Sequence, residues 1–121
     1  MNTHLTTFFN AWSETDPDAR LNLISAACAD NISYTDPRSD GRLSGLSALS
    51  DYVGMFSANA PGWTATVVST DTVGDTNRTI VAFGGKGPDG SDMVQHGTYF
   101  SVQAHGKLVM IAGFVGTGSV E

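Results

Sequence analysis

The chain has 121 residues, 40% of them apolar, which suits one globular domain able to bury a core without a disulfide or metal staple. A formal charge of −6, with only six Lys and Arg scattered along the sequence, argues against nucleic acid and anionic membranes as partners, since both need clustered basic residues. Residues 1–7 carry no basic segment and no apolar run is long enough for a signal peptide or a bilayer span, so the expectation is a cytoplasmic protein.

Leu5, Phe8, Phe9 and Trp12 fall at i, i+3, i+4 and i+7, which predicts a helix over 3–13 with an aromatic stripe facing the core. Asp16 and Pro17 supply the N-cap and the first-turn proline of a second helix. Its apolar face would be Leu21, Ile24, Ala27 and Cys28, with Arg20 on the solvated side and an end near Asp30 and Asn31. Cys28 is the only cysteine and reads as a small buried apolar residue rather than a reactive thiol. A short strand begins near Ile32 and must stop at Asp36-Pro37, because proline has no N–H and confines the residue before it to extended geometry. Leu46, Leu49, Val53 and Phe56 recur at helical spacing after Ser44-Gly45, and Asn59-Ala60-Pro61-Gly62 ends that third helix.

From Trp63 the period changes to two. Trp63, Ala65 and Val67 alternate with Thr64, Thr66 and Val68, as in a half-buried antiparallel strand, and a turn at Gly74–Asn77 leads to a strand over 79–83. The glycine-rich segment 84–90 lacks both the Ser or Thr after lysine and the following helix that a phosphate loop needs, so it reads as a hairpin. A last hairpin, 93–104 and 108–115, turns at His105-Gly106-Lys107. In its first strand Val94, His96, Thr98, Phe100 and Val102 share one face, expected to point inward. Gln95, Gly97, Tyr99, Ser101 and Gln103 share the other. Helices first and strands afterwards indicate the α+β class.

Two residues stand out chemically. Asp36 projects a carboxylate from a rigid strand end, where it is either a general base or a turn residue bonding a nearby backbone amide. His96 sits on an apolar face, either as a core histidine satisfied by hydrogen bonds or as a functional donor. The three His and one Cys are too scattered for a metal site, and no nucleophile elbow or dinucleotide fingerprint occurs. A carboxylate base with a polar partner in an apolar surround suits proton transfer without a cofactor.

The order of two helices, Tyr34-Thr35-Asp36-Pro37, a glycine before a third helix, a long strand, and Gly106-Lys107 leading to Gly113-Phe114-Val115-Gly116 resembles the SnoaL-like branch of the nuclear transport factor 2 superfamily. That superfamily includes ketosteroid isomerase and polyketide cyclases. The resemblance covers nearly the whole chain and implies a single domain over 1–121. Its fold would be a cone-shaped α+β barrel, with three N-terminal helices packed in a strongly bent mixed or antiparallel sheet around an internal pocket, commonly as a homodimer. In ketosteroid isomerase the general-base aspartate also follows the first strand and precedes a proline, which matches Asp36. Its two oxyanion donors, a tyrosine and a protonated aspartic acid, align with Phe8 and Thr98; Phe8 cannot donate, and Thr98 is the weaker acid. His96, on the face of Thr98, would replace them.

The expectation is therefore isomerase or cyclase-type proton transfer on a small apolar carbonyl compound, with no cofactor and no metal. Asp36 would act as base, His96 or Thr98 as donor to the enolate, and Phe8, Trp12, Tyr34, Val53, Phe56, Trp63 and Phe100 as the lining. The alternative is non-catalytic binding of a small hydrophobic metabolite. The face bearing Gln95, Tyr99, Ser101 and Gln103, polar yet uncharged, is the expected dimer interface.

Overall fold

The N-terminal aromatic stripe folds as its spacing predicts. In the computed structural model, which describes residues 3–118, helix α1 spans Thr3–Asn10 and tightens into a 3₁₀ turn over Ala11–Ser13. Leu5, Phe8, Phe9 and Trp12 are all buried. Phe8 and Phe9 meet edge to face at 4.9 Å, and Trp12 packs on both at about 6 Å. Asp16 accepts a hydrogen bond from Ala19 N at 2.9 Å and caps α2, Pro17–Ala27, with Pro17 in its first turn.

Helix α2 runs directly into strand β1, Cys28–Thr35, so the helix ends at Ala27 rather than near Asp30, and Cys28 opens the strand. Its buried positions are Arg20, Ile24 and Ala27, while Leu21 is exposed. Arg20 is therefore not a solvated surface residue. Its guanidinium donates to the carbonyls of Glu14 at 2.9 and 3.1 Å and of Thr15 at 3.3 Å. It lies where a Cβ on Gly54 would stand. The missing side chain on helix α3, Leu46–Asn59, makes room for a cation that periodicity alone assigns to water.

The sheet has six strands in the order β2-β1-β6-β5-β4-β3, with β2 at Leu43–Ser44, β3 at Thr64–Val73, β4 at Thr76–Lys86, β5 at Asp92–Ala104 and β6 at Lys107–Val115. β1 pairs parallel with β6 and every other pair is antiparallel, so the sheet is mixed; it is curved and unclosed, with β2 and β3 as its edges. The helices cover one face.

The faces of β5 are the reverse of those expected. Gly97, Tyr99 and Ser101 are buried, whereas His96, Phe100 and Val94 are exposed. Tyr99 packs edge to face on Phe9 at 5.0 Å between ring centroids. A Cβ at Gly113, its partner across the β5–β6 ladder, would overlap the Tyr99 ring, and one at Gly97 would come within 3.1 Å of it. Two strand glycines thus leave the floor on which the tyrosine lies. On the outer face Phe100 meets Phe114 edge to face at 5.7 Å. Both faces of β5 carry apolar groups, so alternation alone gives no direction. Phe100 is not part of the inner lining, and the expected interface of Tyr99 and Ser101 is interior.

A bulge at Val68, between the pairs Val67↔Val81 and Ser69↔Ile80, changes the phase of β3. Ala65 and Val67 face inward before it, and Thr70 and Thr72 beyond it, where they pair with buried Thr79 and Asn77. Asn77 is satisfied by Thr72 at 2.8 Å and Ser101 at 3.2 Å, which makes this end of the inner face polar without leaving the amide unpaired. Among the described residues no helix is long and apolar enough to cross a membrane.

Candidate functional site

Between helix α3 and the concave face of the sheet lies a cavity of about 780 Å³. Six of its lining residues are aromatic, Trp12, Tyr52, Phe56, Trp63, Phe83 and Tyr99, and Phe114, exposed on the outer face, borders it at the end of β6. Tyr52, Met55, Phe56 and Asn59 reach it from α3 at i, i+3, i+4 and i+7, while Leu49 and Val53 on the adjoining face of that helix are buried in the core. Trp63 enters just before β3, its indole lying over Gly85 and donating from Nε1 to the Lys86 carbonyl at 3.0 Å.

Asp36 stands at the end of β1, half-buried in the cavity wall. Its Oδ1 accepts from the backbone N–H of Arg38 at 2.9 Å and of Ser39 at 2.8 Å, so the carboxylate closes the turn that Pro37 begins. The same carboxylate accepts from two phenols. Tyr34 donates to Oδ2 at 2.6 Å, and the Tyr52 hydroxyl is shared between Oδ1 at 2.6 Å and Oδ2 at 2.8 Å. Turn residue and site residue are therefore not alternatives here. The turn amides fix the carboxylate, and the tyrosines connect it to the cavity.

Tyr99 lies near enough to Tyr34 and Asp36 for the three groups to interact electrostatically. Burial raises the pKa of all three phenols, and for Tyr34 and Tyr52 the nearby Asp36 charge and hydrogen bond raise it further. They stay protonated donors throughout the neutral range. Burial likewise pushes the Cys28 thiol up to about 12, against the opposing charge of Lys107.

The cavity gathers Asp36, His96, Trp12, Phe56 and Trp63 among the residues expected from sequence. Phe8, Tyr34 and Val53 lie behind its wall, fully buried. Phe100 is on the outer face of the sheet, and Thr98 donates its hydroxyl to the Gly116 carbonyl at 2.8 Å instead of lining the cavity. His96 borders the rim, where its carbonyl accepts from Gly116 N at 2.8 Å; its register places the imidazole on the exposed side with Val94 and Phe100. Tyr52, Phe83 and Tyr99 were not foreseen. The stripe Tyr52, Phe56, Asn59 on α3 and the paired glycines under Tyr99 are the sequence signals that carry them. Among the described residues no group of three or more His, Cys, Asp or Glu is gathered as a metal would require.

Over residues 5–111 the sequence matches the SnoaL-like domain. The chain belongs to the SnoaL-like family. A putative isomerase of this family from Agrobacterium tumefaciens shares 25% identity, covering 95% of this chain and 96% of that one, with a TM-score of 0.80. An NTF2-like protein of unknown function from Exiguobacterium shares 27%, covering 95% and 99%, with a TM-score of 0.72. A hypothetical protein with a ketosteroid isomerase-like fold from Catenulispora acidiphila, solved in complex with trimethylamine, shares 15% over 91% and 82% of the two chains, with a TM-score of 0.74; that likeness is one of fold. No curated protein matches the sequence significantly.

Proposed function

We propose that this SnoaL-like domain carries out proton transfer on a small, largely apolar carbonyl compound, as an isomerase or cyclase would, with Asp36 as base and no cofactor. The observation that carries this reading is the Tyr52 hydroxyl shared between the two oxygens of a carboxylate in the wall of an aromatic cavity. When Asp36 takes a proton from the carbon alpha to a carbonyl, negative charge leaves the carboxylate and appears on the enolate oxygen. A neutral acid no longer needs Tyr52, and the enolate does, so the phenol follows the charge. Its departure also opens a lone pair on Oδ2 for the incoming proton. Tyr34 and the two turn amides hold the carboxylate in place meanwhile. Tyr52 thus supplies the donor that Phe8 and Thr98 do not.

A second reading, binding without turnover, draws support from the same hydrogen bonds. Four protein donors already engage the carboxylate, whose acceptor capacity is about four lone pairs, and a base so occupied gives up one bond before it works. Solvent-deuterium exchange at the alpha carbon of a panel of small ketones, followed by NMR, separates the two. The catalytic reading expects exchange above the buffer rate. Asp36→Asn should abolish it while affinity for the neutral ketone stays within about tenfold, because only proton abstraction is lost. Ligands that bind without accelerated exchange would leave binding as the function.

A further inference from the structure

The cavity combines an aromatic lining with a carboxylate that makes no ion pair among the described residues. Among the described residues the two salt bridges are Arg78–Asp71 and Lys86–Asp92, both exposed and neither involving Asp36. Every hydrogen-bond donor to Asp36 is neutral, a phenol or a backbone amide, so its full negative charge stands uncompensated by a cation at contact distance. Half-buried charges are ordinarily paired. Arg38, on the turn, also borders the cavity, and its charge reaches Tyr52 and Tyr99, but it is exposed and makes no ion pair with Asp36.

The same cavity is lined by electron-rich rings. Trp12, Tyr52, Phe56 and Trp63 line one cavity, and Trp12 lies 5.3 Å from Phe56 and 6.3 Å from Tyr52, edge to face in both cases. Rings set at steep angles to one another present faces in several directions, which is how an aromatic surround holds an alkylammonium group. Tryptophan has the strongest such face, and Trp63, half-buried in the wall, offers one, whereas Trp12 is 4% exposed and stacks on Phe9. A neutral apolar ligand would gain from the area of these rings but would leave the carboxylate unpaired. A cationic one uses both.

We infer that this cavity also takes ligands carrying a positively charged alkylammonium group, held by the rings of Trp63 and Phe56 and by the charge of Asp36. The inference rests on the cavity being the ligand site, and not on Asp36 taking a proton. An ammonium beside Asp36 would compete with a proton there, so cation binding and proton abstraction make separate demands on this residue.

Choline and 3,3-dimethyl-1-butanol, which share shape and differ in charge, test this by calorimetry or Trp fluorescence titration on the intact protein. Choline is expected to bind about tenfold more tightly or better, on the scale of desolvated cation–π contacts. Asp36→Asn should erase most of the preference, weakening choline about tenfold or more and the neutral alcohol much less. Trp63→Leu, which keeps an apolar wall without the indole face, should weaken choline more than the alcohol. Equal or tighter binding of the alcohol overturns the inference, as does a choline preference that survives both substitutions. A choline preference without alpha-carbon exchange of any ketone would support this inference and sink only the catalytic reading.

Discussion

Gly113→Ala probes the arrangement that alternation reads in reverse. A methyl group at position 113 would occupy the space of Tyr99 Cε2 and crowd Cδ2 and Cζ, each 2.9 Å away. The ring has little room to yield, because Gly97 lies under its other edge and Phe9 contacts it edge to face at 5.0 Å. Overpacking of this kind costs about 1–3 kcal/mol. For a domain of this size that lowers the melting temperature by roughly 4–12 °C, taking about 4 °C per kcal/mol between the small-domain and large-domain values. Tyr99 also lines the cavity, so displacing its ring should lower ligand affinity along with stability. Thermal melts followed by circular dichroism measure the first effect. The double variant Gly113→Ala/Tyr99→Leu should recover stability relative to the sum of the two single changes, since a shorter side chain vacates the collision. A neutral Gly113→Ala, or strict additivity in the double variant, would show that Tyr99 does not lie over this glycine.

Other consequences are equally direct. Arg20→Ala should destabilise the domain by about 1–2 kcal/mol in a denaturant melt, through lost packing beside Gly54 and lost bonds to the Glu14 and Thr15 carbonyls; a change within experimental error would return Arg20 to the surface. With its folded pKa raised from 9.0 to about 12, Cys28 keeps its proton in the folded state where the unfolded chain loses it. Its contribution to stability is therefore present below pH 9 and lost as pH rises from 9 toward 12, and the thiol should resist alkylation at pH 8 until denaturant is added. Homodimerisation, proposed from the family resemblance, would use the outer sheet face around Phe100 and Phe114, which are 37% and 56% exposed, rather than the interior Tyr99 face. Phe100→Glu/Phe114→Glu should then give a folded monomer in sedimentation; an unaltered dimer would place the interface elsewhere.

Much of the fold was legible because large apolar groups at fixed spacing leave few choices. The stripes Leu5 to Trp12 and Leu46 to Phe56 gave helices at the right places, and Asp16-Pro17 and Asp36-Pro37 marked the start of α2 and the end of β1 through backbone chemistry alone. What periodicity could not supply was direction. β5 turns its more polar side inward, where Gly97 and Gly113, separated in sequence and brought to the Tyr99 ring only by the β5–β6 register, leave it room. Arg20 failed for the same reason, since its place depends on a gap at Gly54 on another helix. At the site, Asp36 was visible because proline flags it. Tyr52 was not, because a tyrosine on a half-buried helix face reads as packing until the carboxylate sixteen residues earlier is seen to meet it.

The handover of the Tyr52 hydrogen bond from carboxylate to enolate is what distinguishes this account from simple sequestration, and Tyr52→Phe isolates it. The substitution keeps the ring in the cavity wall and removes only the shared donor. For a ketone that undergoes exchange, kcat and kcat/KM should fall together by about 10²–10³-fold with ligand affinity nearly unchanged, as expected for a donor that strengthens in the transition state. An exchange rate in Tyr52→Phe equal to or above that of the unaltered protein would contradict it, because the phenol would then be only a competitor for the base.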